Sequence, residues 1–292
     1  GEGVIGAGSR LPRPGWVFRS TDFGNTWHEA ALDPASTERG PEITCVASDQ
    51  SPHAYILTSE SHVWKSTDRG ANWRDLGMIP KVEGDYSAVQ SYGLIVLRSG
   101  TLLASDTNHA GGHIHRSTDG GETWEDCGAI SSEGLYRLEQ TRNGVLVNGW
   151  AGRIFQSLDD GRTWSDCGRL SKKPLYATVA LDSGIVLQAS EAGEIFRSMD
   201  DGRTWVKTAE IGDAADDFVD LGKGSVLLST YLGKKELYLS RDAGLTWTAV
   251  GPIPTTIAED VLDHAIHAVD NTDRWGIGTS VGGGIVRFRL DD

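Results

Sequence analysis

The chain has 292 residues, a formal net charge of −14 and 38% hydrophobic residues. That charge disfavours attraction to nucleic acid or an anionic membrane surface, which want a basic footprint, and no run of about 18 apolar residues is present to cross a bilayer. No Pro/Ser-rich linker or charge run interrupts it, so a single domain over residues 1–292 is expected.

In chain order, two strand-like runs at residues 4–8 and 16–19 lead into an eight-residue pattern, Ser-x-Asp-x-Gly-x-Thr-Trp, at Ser20 to Trp27. The pattern returns at Ser66 to Trp73, with Asn72 in place of Thr, then at Ser117 to Trp124, Ser157 to Trp164, Ser198 to Trp205 and Ser240 to Trp247. Short Ser and Asp side chains that bond their own backbone, followed by a glycine, make this a turn between strands. The serines are 46, 51, 40, 41 and 42 residues apart, the period of a β-propeller blade.

Within the repeat ending at Ser157, alternation predicts strands at 136–141, 145–148 and 153–156, with a turn at Asn143-Gly144 and a loop at 149–152. The next repeat predicts 176–181, 185–189 and 194–197. After the last pattern come strands near 265–269, 275–279 and 285–289. The expected fold is an all-β propeller of four-stranded antiparallel blades, seven in number with the first and last one strand short, or six with terminal strands merged. Cys127 and Cys167 fall at matching places on neighbouring outer strands, too far apart for the roughly 4.4–6.8 Å Cα separation of a disulfide. The chain opens at Gly1 without an initiator methionine or signal peptide, so a processed or trimmed start is expected.

The six patterns resemble the Asp-box or BNR repeat of sialidases and related propellers, a likeness that covers nearly the whole chain. It implies that the boxes lie on the turns between third and fourth strands, away from any active site. The same boxes occur in hydrolases, lyases, receptors and assembly factors.

Functional residues are therefore expected opposite the boxes, where repeats differ. Four residues before each box serine stand Trp16, His62, His113, Arg153, Glu194 and Glu236, a mixed column. Two before it stand Phe18, Trp64, His115, Phe155, Phe196 and Tyr238, a packing column in which His115 is a core residue. At the entry of the first strand, Tyr92, Tyr136 and Tyr176 occupy consecutive blades and Asp216 the next, with Asp217 beside it. The loop 105–113 adds His109, and histidine is easily poised for proton transfer.

These residues suggest chemistry on an acidic sugar. Arg153 and Arg137 would neutralise a uronate carboxylate, with Arg153 facing Glu194 of the next blade as the structural alternative. His109 or His113 would abstract a proton, and Tyr136 or Tyr92 would protonate the leaving group. Trp150 would stack on a sugar, with Tyr176, His62, Glu194, Asp216 and Asp217 around the substrate. The expectation is a glycan lyase acting by β-elimination. The alternatives are a sialidase-like hydrolase, in which Tyr136 or Tyr176 with Glu191 or Glu194 is the nucleophile pair, and a non-catalytic glycan- or protein-binding propeller. No cofactor is expected; a metal on His109, His113 and His115 is weighed and set aside for want of a fixed acidic partner. The expected partner is an acidic oligo- or polysaccharide, without nucleic acid or membrane insertion, bound by a secreted or periplasmic monomer.

Overall fold

The computed structural model describes residues 4–8, 16–21, 26, 28–32, 43–48, 52–58, 60–80, 90–107, 111–230, 233–252, 264–270, 275–280 and 285–289. These residues form seven antiparallel sheets whose strands follow chain order. The first holds Val4–Gly8, Trp16–Ser20 and His28–Ala31; the second Ile43–Ser48, Ala54–Thr58, His62–Ser66 and Arg74–Met78; the third Gln90–Val96, Leu102–Thr107, Gly112–Ser117 and Glu125–Ser131. The fourth holds Leu135–Gln140, Val145–Gly149, Arg153–Ser157 and Ser165–Arg169; the fifth Leu175–Ala180, Val186–Ser190, Glu194–Ser198 and Val206–Glu210. The sixth holds Ala215–Gly222, Ser225–Thr230, Glu236–Ser240 and Thr248–Pro252, and the seventh His264–Asp270, Trp275–Ser280 and Ile285–Arg289. Five four-stranded meanders flanked by two three-stranded ones are the blades of an Asp-box β-propeller, and the short first and last sheets match the sequence reading.

The chain divides into two compact units, Gly1–Leu138 with Ser157–Trp164, and Glu139–Gln156 with Ser165–Asp292. In the first unit, the first strand of the second sheet lies beside that of the third. In the second unit, the first strands of the fifth, sixth and seventh sheets lie side by side. The first strands are thus the inner ones. Apolar side chains fill the space between neighbouring sheets: Tyr55, Leu57, Val63, Leu94 and Leu102 in the first unit, and Ala177, Leu187, Ile195, Phe218 and Leu228 in the second. Burial of such side chains stabilises by about 1.5–3 kcal/mol each.

Among the described residues, the five boxes from Ser66 onward bond themselves. In the fourth sheet, Ser157 Oγ donates to Asp159 Oδ1 (2.8 Å) and accepts from Gly161 N (2.9 Å), while Asp159 accepts from Thr163 N and Oγ1 (2.9 and 2.7 Å). In the second sheet, Asn72 does the work of threonine, its Nδ2 donating to Asp68 Oδ2 at 2.7 Å. These donors hold the box carboxyls low: Asp119 and Asp200 sit at about 2, chiefly through the Thr123 and Thr204 hydroxyls, and Asp68 at about 2 through Asn72. The box glycine is required by its backbone conformation. Gly161 has φ +82°, and a Cβ there would meet Leu103 of the preceding sheet at 2.5 Å.

One column unread in the sequence joins successive sheets. In four repeats the residue before the box serine sends its side chain to the backbone carbonyl of the fourth residue of the next box. Lys65 Nζ reaches Gly120 O (3.2 Å) and Arg116 Nε reaches Asp160 O (2.9 Å) in the first unit. Gln156 Nε2 reaches Asp201 O (2.7 Å) and Arg197 Nε reaches Ala243 O (2.9 Å) in the second. Its signal was a column of long donor-bearing side chains. None of the three cysteines forms a disulfide, as expected, and burial, then the Glu125 charge, pushes the Cys127 thiol up to about 11.

Candidate functional site

The mixed column opens the third strands, on the side opposite the box turns. Four of its six members, at His62, His113, Arg153 and Glu194, form cross-strand pairs. His62 Nδ1 lies 3.2 Å from Asp75 Oδ2, His113 Nδ1 lies 3.0 Å from Asp126 Oδ1, Arg153 Nη1 donates to Asp166 Oδ2, and Lys207 Nζ donates to Glu194 Oε1 at 3.1 Å. Every partner stands 13 residues further on, in the fourth strand. The first three acids also accept the amide of a glycine two residues on: Gly77, Gly128 and Gly168, at 2.7, 2.8 and 2.8 Å. Those glycines have φ of +91°, +90° and +98° at a bulge in the fourth strand. An Asp-x-Gly motif, legible as Asp75-Leu76-Gly77 and its repeats, was the missed signal.

Four expectations are corrected by this geometry. His113 does not open into a pocket. It is 5% exposed, its amide donates to Asp106 Oδ1 (3.0 Å), and its ring is held by Asp126. Burial raises the Asp126 carboxyl, but the bonds from His113 and the Gly128 amide outweigh it and leave that group below its usual value. Arg153 is not half of a carboxylate clamp with Arg137, nor does it face Glu194; it is paired with Asp166. Glu194 accepts from Ser171 Oγ (2.5 Å), Ser190 Oγ (3.2 Å) and Lys207 Nζ, and these bonds win over burial to lower its carboxyl. Asp217 is 3% exposed and turned back on its own strand, Oδ1 accepting from Phe218 N (2.9 Å).

His62 stays at the surface but is tied to Asp75. Tyr136 and Arg137 are half-buried in Leu135–Gln140. Tyr176 and Asp216 are half-buried where the inner strand slips register against the second strand, between Leu175 and Ala177 and between Ala215 and Asp217. Tyr92 occupies the same kind of register shift between Ser91 and Gly93, while its side chain and all of His109 lie outside the described residues. His115 is a core residue as expected: 2% exposed, with Nε2 2.8 Å from Asp106 Oδ2. The Asp106–His115 pair occupies the places of Thr230 and Tyr238 in the sixth sheet, where the Thr230 hydroxyl accepts the Glu236 amide at 2.9 Å.

Trp150 differs from all of these, being 50% exposed. It sits in the second-to-third-strand turn of the fourth sheet, closed by Gly152 N to Gly149 O at 3.1 Å. Gly152 has φ +70°, its carbonyl accepts the Leu170 amide at 2.8 Å, and a Cβ there would stand 2.1 Å from Ser171 O. The turn is thus clamped to the connection that follows the fourth strand, and the indole is presented from a rigid base.

The BNR/Asp-box repeat family profile matches residues 115–126. The photosystem II assembly lipoprotein Ycf48 of Synechococcus sp. (strain CC9902) is 26% identical over 133 residues, 45% of this chain and only 37% of that relative's length. Among solved structures, YCF48 bound to D1 peptide aligns with a TM-score of 0.71 at 16% identity, over 99% of this chain and 90% of that one. YCF48 from Cyanidioschyzon merolae gives 0.65 at 14%, over 98% and 94%. A catalytically inactive variant of virginiamycin B lyase from Staphylococcus aureus with Quinupristin gives 0.72 at 11%, over 99% and 100%; at such identities the likenesses show the fold alone.

The expectation of a glycan-cleaving enzyme, lyase or hydrolase, is overturned. The sequence relative is named for assembly rather than turnover, and a YCF48 structure carries a peptide rather than an acidic saccharide. In the structure His113, Arg153 and Glu194 are paired within their own sheets. Among the described residues no helix is long and apolar enough to cross a membrane.

Proposed function

We propose that this chain is a non-catalytic binding propeller, one domain over residues 1–292, that docks a segment of a partner protein on the side opposite its boxes. The observation that carries the reading is Trp150, a half-exposed indole on a clamped turn beside side chains already tied up in pairs. An amphipathic ring held at small entropic expense is a common anchor of protein interfaces. Lys173, whose Nζ lies 3.7 Å from Glu191 Oε2, and the Arg153–Asp166 pair supply a polar rim in the same unit. The likeness to an assembly lipoprotein and to a fold that holds a peptide supports a polypeptide ligand. A non-cytoplasmic setting, periplasmic or equivalent, is part of the proposal.

The test is a peptide array of candidate client proteins, followed by titration of each binder against the wild type and Trp150→Ala. A weakening of about tenfold or more for Trp150→Ala, with unchanged melting, supports the reading. Binders indifferent to Trp150→Ala, or chemical change in a bound peptide, overturn it.

A further inference from the structure

Arg142 is exposed, yet it is held at three points. Its amide donates to Asp201 Oδ1 at 3.0 Å and its Nη2 to Asp182 O at 3.1 Å. A Cβ on Gly184 would stand 3.1, 3.2 and 3.3 Å from Arg142 Cζ, Nη2 and Nη1, and distances so nearly equal mean that the guanidinium lies face-on over that glycine. The turn carrying Arg142 joins the first and second strands of the fourth sheet, and Asp182-Ser183-Gly184 is the same turn of the fifth. With Asn143, Ser183, Met199 and Arg203, Arg142 lines a cleft of about 240 Å³ on the box side of the second unit. Among the described residues neither Arg142 nor Arg203 is ion-paired. The two acids of the cleft are spent elsewhere. Asp201, 7% exposed, accepts the amides of Arg142 and Asn143, and Asp200 accepts from Ser198 Oγ and from Thr204 N and Oγ1. The repeat does not require this arrangement. A Cβ on Gly100, at the same place in the third sheet's turn, would meet nothing within 4 Å, and in the box of the sixth sheet Ala243 and Leu245 stand where Asp201 and Arg203 do.

We propose that this cleft is an anion site, which takes the phosphate group of a small phosphate monoester. A guanidinium already fixed by its surroundings loses little further freedom when an anion binds, and this favours affinity. The unspent polar groups are donors: Nη1 and Nε of Arg142, the Arg203 fork, the Ser183 hydroxyl and the Asn143 side-chain amide. Donors drawn from four residues suit the three peripheral oxygens of a phosphate better than the two of a carboxylate. The cleft has room for more than the anion, and Met199, 75% exposed, gives the substituent an apolar wall. A chain of net charge −14 repels anions at long range, so binding depends on close contact with these two arginines. The site lies on the box side, away from Trp150, and either stands if the other fails.

The probe is phenyl phosphate, titrated by calorimetry into the full chain at physiological salt, with inorganic phosphate and benzoate as the other arms. Phenyl phosphate is expected to bind one to one. Inorganic phosphate, which lacks a body to meet Met199, should bind more weakly, and benzoate weaker by about tenfold or more. Arg142→Gln and Arg203→Gln should each weaken phenyl phosphate by about tenfold or more, as the loss of a charge-assisted contact requires. Arg162→Gln, at the matching place of the preceding box, should leave it unchanged. Arg203→Gln removes no side-chain bond found among the described residues, so its melting should match the wild type and separate lost binding from lost folding. Four results overturn the proposal: no binding at millimolar phenyl phosphate; binding that either Arg142→Gln or Arg203→Gln leaves intact; an equal loss with Arg162→Gln, the mark of unspecific attraction; and inorganic phosphate or benzoate binding as tightly as phenyl phosphate.

Discussion

The fourth and fifth sheets solve one problem with opposite charges. In the fourth, Arg153 on the third strand meets Asp166 on the fourth, and Asp166 also holds the amide of Gly168. In the fifth, Glu194 on the third strand meets Lys207 on the fourth, and Ala209 stands where the glycine was. A lysine cannot accept an amide, so the left-handed Asp-x-Gly turn disappears with the aspartate. The two positions vary as a pair across a bulge, and the stretch of the column from His62 to Glu194, irregular when read alone, becomes regular once read with its partners 13 residues on.

The comparison is bounded by a change that strikes both sheets alike. Trp164 and Trp205 each donate Nε1 to the box glycine carbonyl, at 3.0 and 2.9 Å. Trp164→Ala and Trp205→Ala should each cost about 3 kcal/mol in denaturant unfolding; a large inequality would mean that the sheets differ in more than their pairs. Next in size, Asp166→Ala should cost about 1 kcal/mol, because it removes the acceptor of Gly168 as well as the partner of Arg153. Lys207→Ala, which removes a partner of Glu194 and Glu210 but no amide acceptor, should cost less, and the reverse order would break the comparison. Gly168→Ala, at φ +98°, should cost about 1 kcal/mol, whereas Ala209→Gly in the fifth sheet should change stability by less than that.

Smaller still is the coupling between Arg153 and Asp166, both more than a third exposed. A double-mutant cycle should return about 0.5 kcal/mol or less, falling with salt. The fifth sheet has its own acid signature, because the Glu194 carboxyl is lowered from 4.5. Its stabilisation is present above the unfolded value and is lost as pH falls through the lower folded value. Glu194→Gln should therefore flatten the melting temperature against pH below about 4.5, leaving the box contribution, which persists toward the value of about 2 held by Asp200. An unchanged profile would show that Glu194 titrates as it does in the unfolded chain.

The fold was legible because its signal is local and repeated. The box bonds close within eight residues of sequence, and strands such as Arg153–Ser157 and Glu194–Ser198 fall within a residue of their expected bounds. The candidate site was misread because its determinants are not local. His62, His113, Arg153 and Glu194 look like scattered chemistry until Asp75, Asp126, Asp166 and Lys207 are placed against them, and that placement depends on a bulge that alternation does not reveal. His115 was legible as core because its column is aromatic, yet its partner Asp106 was not, since it takes the role of a hydroxyl elsewhere.

The carbonyl-seeking column at Lys65, Arg116, Gln156 and Arg197 bears on how such a chain grows. The repeats at Ser117, Ser157 and Ser198 each carry a donor one residue before the box serine and an acceptor in the fourth residue of the box, so each of these copies brings both halves of the lock. The acceptor is main chain, which lets lysine, arginine and glutamine serve alike and leaves the acceptor's own side chain to drift from Gly120 to Asp160, Asp201 or Ala243. A duplicated copy of any one of these three would find a matching neighbour on either side at once. Within this run, lengthening or shortening by whole blades thus requires no compensating substitution in this column, a property expected of architectures in which each unit touches only the next.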